Sequence, residues 1–244
     1  MKVRFVGSGD AFGSGGRWQT CIHVSGEGQV LLVDCGATSL TALKAQGLEP
    51  NAVDAVAVTH LHGDHFGGLP FLILDGQFSR RITPLRVAGP PGIRARLAEA
   101  MEVLFPGSSQ VRRRFEVEIT ELRADGTPAR LGAAAVRGWE VVHACGAPPL
   151  ALRVEFGGRS FAYSGDTQWT AALAEAADGA DLLAVEAYTF DRPVRYHLDY
   201  RTLQAHLGEL RARRILLTHM SADMLARLAD AGTPAAYDGM TVDL

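Results

Sequence analysis

The sequence predicts an α/β protein in a single domain, on three observations. Short apolar, β-branched runs alternate with helix-length stretches along the whole chain. The 244 residues, 47% of them hydrophobic, suffice to bury a sizeable core in one unit of this class. Four predicted strands end near Thr59, Val142, Tyr163 and Leu217, and each hands over to a His or an Asp. Layered sheets gather their sites where strand ends meet loops, so this repetition points to one shared site.

Taken in order, Val3 to Val6 reads as a short strand opening into a glycine-rich loop, Gly7 to Gly16, with Asp10 and Ser14. Gly-x-Gly without a helix directly after it reads as a turn rather than a dinucleotide site. Thr20 to Ser25 and Gln29 to Asp34 form a hairpin about Gly26-Glu27-Gly28, and His23 within it is structural. Thr38 to Gln46 is a helix closed by Gly47, and Pro50 restarts the chain towards a strand at Val53. An apolar helix follows Gly67-Gly68, then a strand at Leu85 to Ala88, a helix over Gly92 to Val103 and a loop at Pro106 to Gln110. Glu116 to Leu122 and Ala133 to Val142 are strand-like, and Leu150 to Phe156 with Ser160 to Tyr163 forms a hairpin about Gly157-Gly158. A helix from about Thr170 to Ala177, a strand at Leu182 to Val185, a helix near Arg201 to Leu210, a last strand at Ile215 to Leu217 and a helix from Ala222 complete the pattern.

The net charge of −3 argues against bulk attraction to nucleic acid, and the run Arg112-Arg113-Arg114 reads as a solvated face. Cys21, Cys35 and Cys145 are an odd number with no Cys-x-x-Cys pair, which indicates neither a disulfide framework nor a zinc knot and suits a reducing compartment. No stretch has the form of a secretory signal or a membrane span, so a soluble cytoplasmic protein is expected, with no membrane partner.

The chemistry is concentrated in Val53 to Gly68, where a β-branched run ends at Thr59 and spills into His60, His62, Asp64 and His65. Three imidazoles and a carboxylate within six positions supply nitrogen and oxygen donors that suit zinc, manganese or iron. With His143, Asp166 and His219 at the other strand ends there are seven candidate ligands. One structural ion needs about four, so seven suits two catalytic metals sharing a bridging carboxylate, with a single ion as the alternative. Cys145 and His206 read as bystanders, and Trp18, Trp139 and Trp169 as packing residues.

These residues resemble the metallo-β-lactamase-fold hydrolases, whose hallmark is His-x-His-x-Asp-His, and most nearly their ribonuclease Z-like branch. The resemblance runs in order through Gly7-Ser8-Gly9-Asp10, Leu32-Val33-Asp34-Cys35-Gly36, Thr59 to His65, Ser164-Gly165-Asp166-Thr167, Glu186-Ala187-Tyr188-Thr189-Phe190 and Leu217-Thr218-His219-Met220-Ser221. It implies an αβ/βα four-layer sandwich of two mixed sheets between helical layers. It also implies two divalent metal ions, zinc first with manganese or iron as alternatives: one on His60, His62 and His143, the other on Asp64, His65 and His219, with Asp166 bridging. A downstream His paired with a Glu would assist the leaving group, and His197 and Glu186 hold those places, although His197-Leu198-Asp199 stands where the family has His-Ser-Thr. In ribonuclease Z a long arm that grips transfer RNA lies between the ligands matching His143 and Asp166; here 22 residues separate them, and a hairpin uses most of those.

The function expected is a metal-dependent phosphodiesterase on small or cyclic phosphodiesters, using a hydroxide bound to both metals. Asp64 would orient or deprotonate the water, while His197, held by Glu186, protonates the departing oxygen. The alternative is acyl hydrolysis, as by a lactonase or thioesterase, since the same core polarises a carbonyl. Transfer RNA 3′-end cleavage and a non-catalytic metal protein rank below these. The expected partner is a small-molecule ester, with no extended nucleic-acid surface, and the resemblance implies a homodimer.

Overall fold

The computed structural model describes residues 1–244. Thirteen strands form two mixed sheets that pack face to face, and seven α-helices cover their outer faces. The strands are β1 Lys2–Gly7, β2 Cys21–Gly26, β3 Gln29–Val33, β4 Ala55–Ala57, β5 Leu85–Gly89, β6 Val117–Glu121, β7 Ala129–Leu131, β8 Ala134–Glu140, β9 Leu150–Phe156, β10 Arg159–Tyr163, β11 Leu182–Glu186, β12 Ile215–Thr218 and β13 Thr241–Asp243. The helices are α1 Ser39–Ala45, α2 Gly63–Phe66, α3 Leu69–Phe78, α4 Ile93–Leu104, α5 Ala171–Ala177, α6 Tyr200–His206 and α7 Ala222–Ala226.

One sheet runs β13-β1-β2-β3-β4-β5-β6, and the other β12-β11-β10-β9-β8-β7. Each combines antiparallel hairpins with parallel strands joined through helices: β3 to β6 are mutually parallel in the first sheet, and β10 to β12 in the second. The parallel strands therefore deliver their C-terminal ends to the same rim. The β2–β3 turn is two residues long, with Glu27 at φ 50° and Gly28 at φ 76°, a geometry that matches the twist of the strands it joins.

The apolar faces of the two sheets meet in the main core, where Phe5, Ile22 and Val33 of one pack with Leu152, Val154 and Phe161 of the other. Truncating a residue as large and buried as Phe161 to Ala should cost about 3–5 kcal/mol. A second apolar layer lies under α1, α3 and α4, and a third under α5, α6 and α7. The result is the αβ/βα four-layer sandwich.

Several elements depart from the sequence expectation. β4 is only three residues long, and β8 stops at Glu140, so His143 stands on a loop rather than at a strand end. Asp64 and His65 sit on the single helical turn α2, which the spacing did not suggest. β7 and β13 were not expected, and β13, antiparallel to β1, displaces β12 as the last strand. Asp10 accepts hydrogen bonds from the Ser14 amide (2.8 Å) and hydroxyl (2.7 Å), so the glycine-rich loop closes on itself as a turn. No helix is long and apolar enough to cross a membrane.

Candidate metal centre

His60 and His62 follow β4, His62 in extended conformation, and α2 then turns Asp64 and His65 inward, the first 8% exposed and the second fully buried. What shapes this turn lies on the neighbouring strand. Asp34, just beyond β3, occupies the left-handed region at φ 61°. Its buried carboxylate accepts from the Thr59 amide (2.7 Å) and hydroxyl (2.8 Å) and from His65 Nδ1 (2.7 Å). Three hydrogen bonds to one carboxylate offset a strained backbone and fix the ring of His65. A Cβ at Gly36 would lie 2.1 Å from the Asp64 carbonyl oxygen, so only glycine lets these two turns approach.

The second sheet supplies the other residues: Asp166 after β10, His219 after β12 and His143 on the loop beyond β8. Donor atoms of His60, His62 and His143 lie within 4.8 Å of one another, and so do those of Asp64, His65, Asp166 and His219. Asp166 faces both groups. Its Oδ2 lies 3.9 Å from His60 Nε2 and 4.0 Å from His143 Nε2, while its Oδ1 lies 3.2 Å from His65 Nε2 and 3.5 Å from His219 Nε2. Ligands on a tetrahedral ion with bonds of about 2.0–2.1 Å stand roughly 3.3 Å apart. The closest pairs match: His62 Nδ1 to His143 Nε2 at 3.1 Å, His65 Nε2 to His219 Nε2 at 3.3 Å, and Asp64 Oδ2 to both His65 and His219 at 3.2 Å.

These contacts are poor as hydrogen bonds and good as ligand edges. His143 Nδ1 faces the Tyr196 carbonyl at 2.9 Å, and a carbonyl only accepts, so the proton sits on Nδ1 and Nε2 turns a lone pair towards His62. Buried His60 Nε2 and Asp166 Oδ1 have no hydrogen-bond partner in the protein. Unpaired buried acceptors of this kind cost about 1–3 kcal/mol each unless something binds them. The donor set therefore fits divalent cations.

Electrostatics without cations show the same strain. Burial pushes His60 well below the ordinary histidine range, aided by the neighbouring His65. His62 is lowered by burial and by His143. Burial would raise Asp64 and Asp166, but the surrounding histidines outweigh it and hold both carboxyls well below their usual range. Burial likewise opposes charge on His219, yet Asp166 and Asp64 draw it up to about 10. Carboxylates that stay ionised are what a cation site requires.

A third group adjoins the cluster. His197 Nδ1 donates to Glu186 Oε1 at 2.5 Å and lies 4.0 Å from Asp166 Oδ2. Glu186 is fully buried, and its other oxygen accepts the Thr167 amide at 2.9 Å. Burial opposes protonation of His197, but the bond to Glu186 raises its pKa. Its ring stacks on Tyr188, with centroids 4.6 Å apart, and meets His143 edge-on at 5.0 Å. Thus all seven residues named as ligands from the sequence converge, and His197 and Glu186 stand beside them.

Asp199 caps α6, accepting from the Thr202 amide at 2.9 Å, which accounts for the departure at His197-Leu198-Asp199. Cys145 donates to the Ala147 carbonyl, and His206 stacks on Trp169 while bonding Glu209, so neither joins the site. Sequence reasoning gave no role to Asp34, Tyr188 or the Tyr196 carbonyl. Asp34 stood in a recognised motif, whereas a carbonyl acceptor leaves no residue-type signal.

Ribonuclease Z of Salinibacter ruber is 36% identical over 129 residues, which are 52% of this chain and 38% of that protein. Ribonuclease Z of Methanothermobacter thermautotrophicus is 39% identical over 93 residues, 38% of this chain and 30% of that one. The chain thus spans well under half the length of these curated relatives. Among solved structures, the short form of human tRNase Z superposes with TM-score 0.81 at 24% identity, covering 100% of this chain and 99% of the other. A diphosphatase of the PhnP family superposes with TM-score 0.79 at 20% identity, covering 100% and 97%. The chain has the metallo-β-lactamase fold and is similar over part of its length to ribonuclease Z. Residues 1–235 match the family described as Anti-Pycsar protein Apyc1, and the chain belongs to that family.

Proposed function

We propose that the protein hydrolyses small or cyclic phosphodiesters. The observation that carries this reading is the hydrogen-bonded pair of His197 and Glu186, set 4.0 Å from Asp166 at the edge of a donor cluster with room for two ions. His60, His62 and His143 would hold one cation and Asp64, His65 and His219 the other, with Asp166 between the two groups. When bound, the cations lower the pKa of water and neutralise charge on phosphoryl oxygens; zinc suits the ligands best, with manganese or iron as alternatives. Asp64 would orient or deprotonate the attacking water. Glu186 keeps the Nδ1 proton of His197 in place, so that Nε2 presents a second proton to the departing oxygen. A diester leaving group is a poor one and gains most from such an acid.

The substrate is small because the path from β8 to Asp166 is a short loop and the β9–β10 hairpin, with no segment that could act as an arm for transfer RNA. We infer a reducing, cytoplasmic setting, which the three free cysteines support.

The test is a panel of bis-nitrophenyl phosphate, cyclic nucleotides, a lactone, a thioester and precursor transfer RNA, assayed with defined metals. Turnover of the lactone without the diesters would replace this reading with acyl hydrolysis. His197→Ala should slow diesters with alkoxide leaving groups by about 10²–10³-fold and nitrophenyl esters far less; equal losses on both would remove His197 from the role of acid.

A further inference from the structure

A cavity of about 430 Å³ opens at the end of the molecule opposite the His and Asp cluster. It is walled by the starts of β8 and β10, the end of β9, and the residues that precede β11 and β12. Asp166 lies seven residues beyond Arg159, so roughly 20 Å of strand separates this cavity from the metal centre.

Its lining is polar, with only two alanines among the hydrophobic types, and four arginines reach it: Arg130, Arg153, Arg159 and Arg213. Their carboxylate partners are oversubscribed. Asp181 Oδ1 is shared by Arg159 at 3.3 Å and Arg213 at 3.4 Å, while its Oδ2 accepts the Ser160 amide at 2.9 Å. Glu155 is likewise divided between Arg153 at 3.1 Å and Arg137 at 3.6 Å. Arg130 makes one 3.4 Å contact, with the Ala133 carbonyl, and enters no ion pair. Glu27 is the remaining acid, so five guanidinia at or beside the cavity face three carboxylates. In a chain with net charge −3, this concave excess of positive charge is a local reversal.

Guanidinium forks bind phosphoryl oxygens two at a time, and the volume lies in the range of small-ligand sites. Arg153, bonded to the Asp178 carbonyl and the Ser160 hydroxyl, is a fixed donor, whereas Arg130 and Arg213 are exposed and free to close on a ligand. We propose a second ligand site here that takes a compact diphosphate group, such as that of a nucleoside diphosphate, held by these four arginines. It is separate from the catalytic site and does not depend on the diester reading.

The experiment is equilibrium binding of ADP, in magnesium-free buffer, to the metal-loaded protein and to an Arg130→Ala/Arg213→Ala variant, with adenosine as the uncharged control. The thermal midpoint monitors the variant's integrity, and Arg130→Glu alone serves as a second variant. The expected result is saturable ADP binding that weakens by about 10-fold or more in both variants at an unchanged midpoint, with no binding of adenosine. Absence of saturation up to about 10 mM ADP, equal affinity in variant and parent, or equal competition by adenosine would overturn the site.

Discussion

Asp34 illustrates how much of the metal centre rests on a residue that touches no ligand atom of the cluster except through His65. Its carboxylate holds His65 Nδ1, so that Nε2 faces Asp64 and Asp166. Asp34→Ala should weaken metal binding by about 10–100-fold, measured by titration against a competing chelator, and unchanged affinity would show that the ring needs no such support. The seven ligand-type residues were legible because His and Asp at strand ends are rare and chemically explicit; Asp34 was legible only as part of a motif, and its task depends on a φ of 61° that no spacing discloses. Cys21 gives a prediction of another kind. Burial, against a weaker opposing bond from Ser39, pushes its thiol up to about 12. Below the ordinary thiol range, near 8.5, the proton is retained by folded and unfolded chains alike and stability is unaffected by pH through this group. As pH rises from there towards 12 only the unfolded chain releases the proton, and stability falls by about 1.4 kcal/mol per pH unit. Denaturant midpoints measured between pH 8 and 10.5 should show this slope, reduced in Cys21→Ala; the native thiol should also resist labelling at pH 8.

At the scale of elements, α6 shows how a local signal supports the site. Asp199, two residues after His197, accepts from both the amide and the hydroxyl of Thr202 and so starts the helix at Tyr200. Asp199→Ala should cost about 1 kcal/mol, or about 2–4 °C in midpoint for a chain of this size, and should loosen His197 enough to lower kcat for diesters; a stability loss with intact kcat would separate the cap from the acid. Strand and helix order was largely readable, since β1, the β2–β3 hairpin, the β9–β10 hairpin and α4 carry period, turn glycines and length. β13 was not, because three residues with only Val242 turned inward make no pattern. β7 failed for the same reason. α2 was hidden because a four-residue turn has no period, and the glycines around it read as loop.

At the scale of the molecule, residues up to Glu121 build one sheet, apart from β13, and residues from Ala129 to Thr218 build the other. His60, His62, Asp64 and His65 belong to the first, and His143, Asp166 and His219 to the second. Bound cations should therefore tie the sheets together. Chelation should lower the thermal midpoint, and ions at about 100 times their dissociation constant should restore about 2.7 kcal/mol per independent site; a midpoint indifferent to chelator would mean the donors do not bind ions in the folded chain. The same division has a practical corollary. Asp125-Gly126-Thr127 joins the two halves as an exposed or half-exposed turn, with Gly126 at φ 76°. A chain severed there would give two fragments, each with half of a coordination sphere and one bare apolar face, whose reassembly would be governed by how much divalent ion the solution contains.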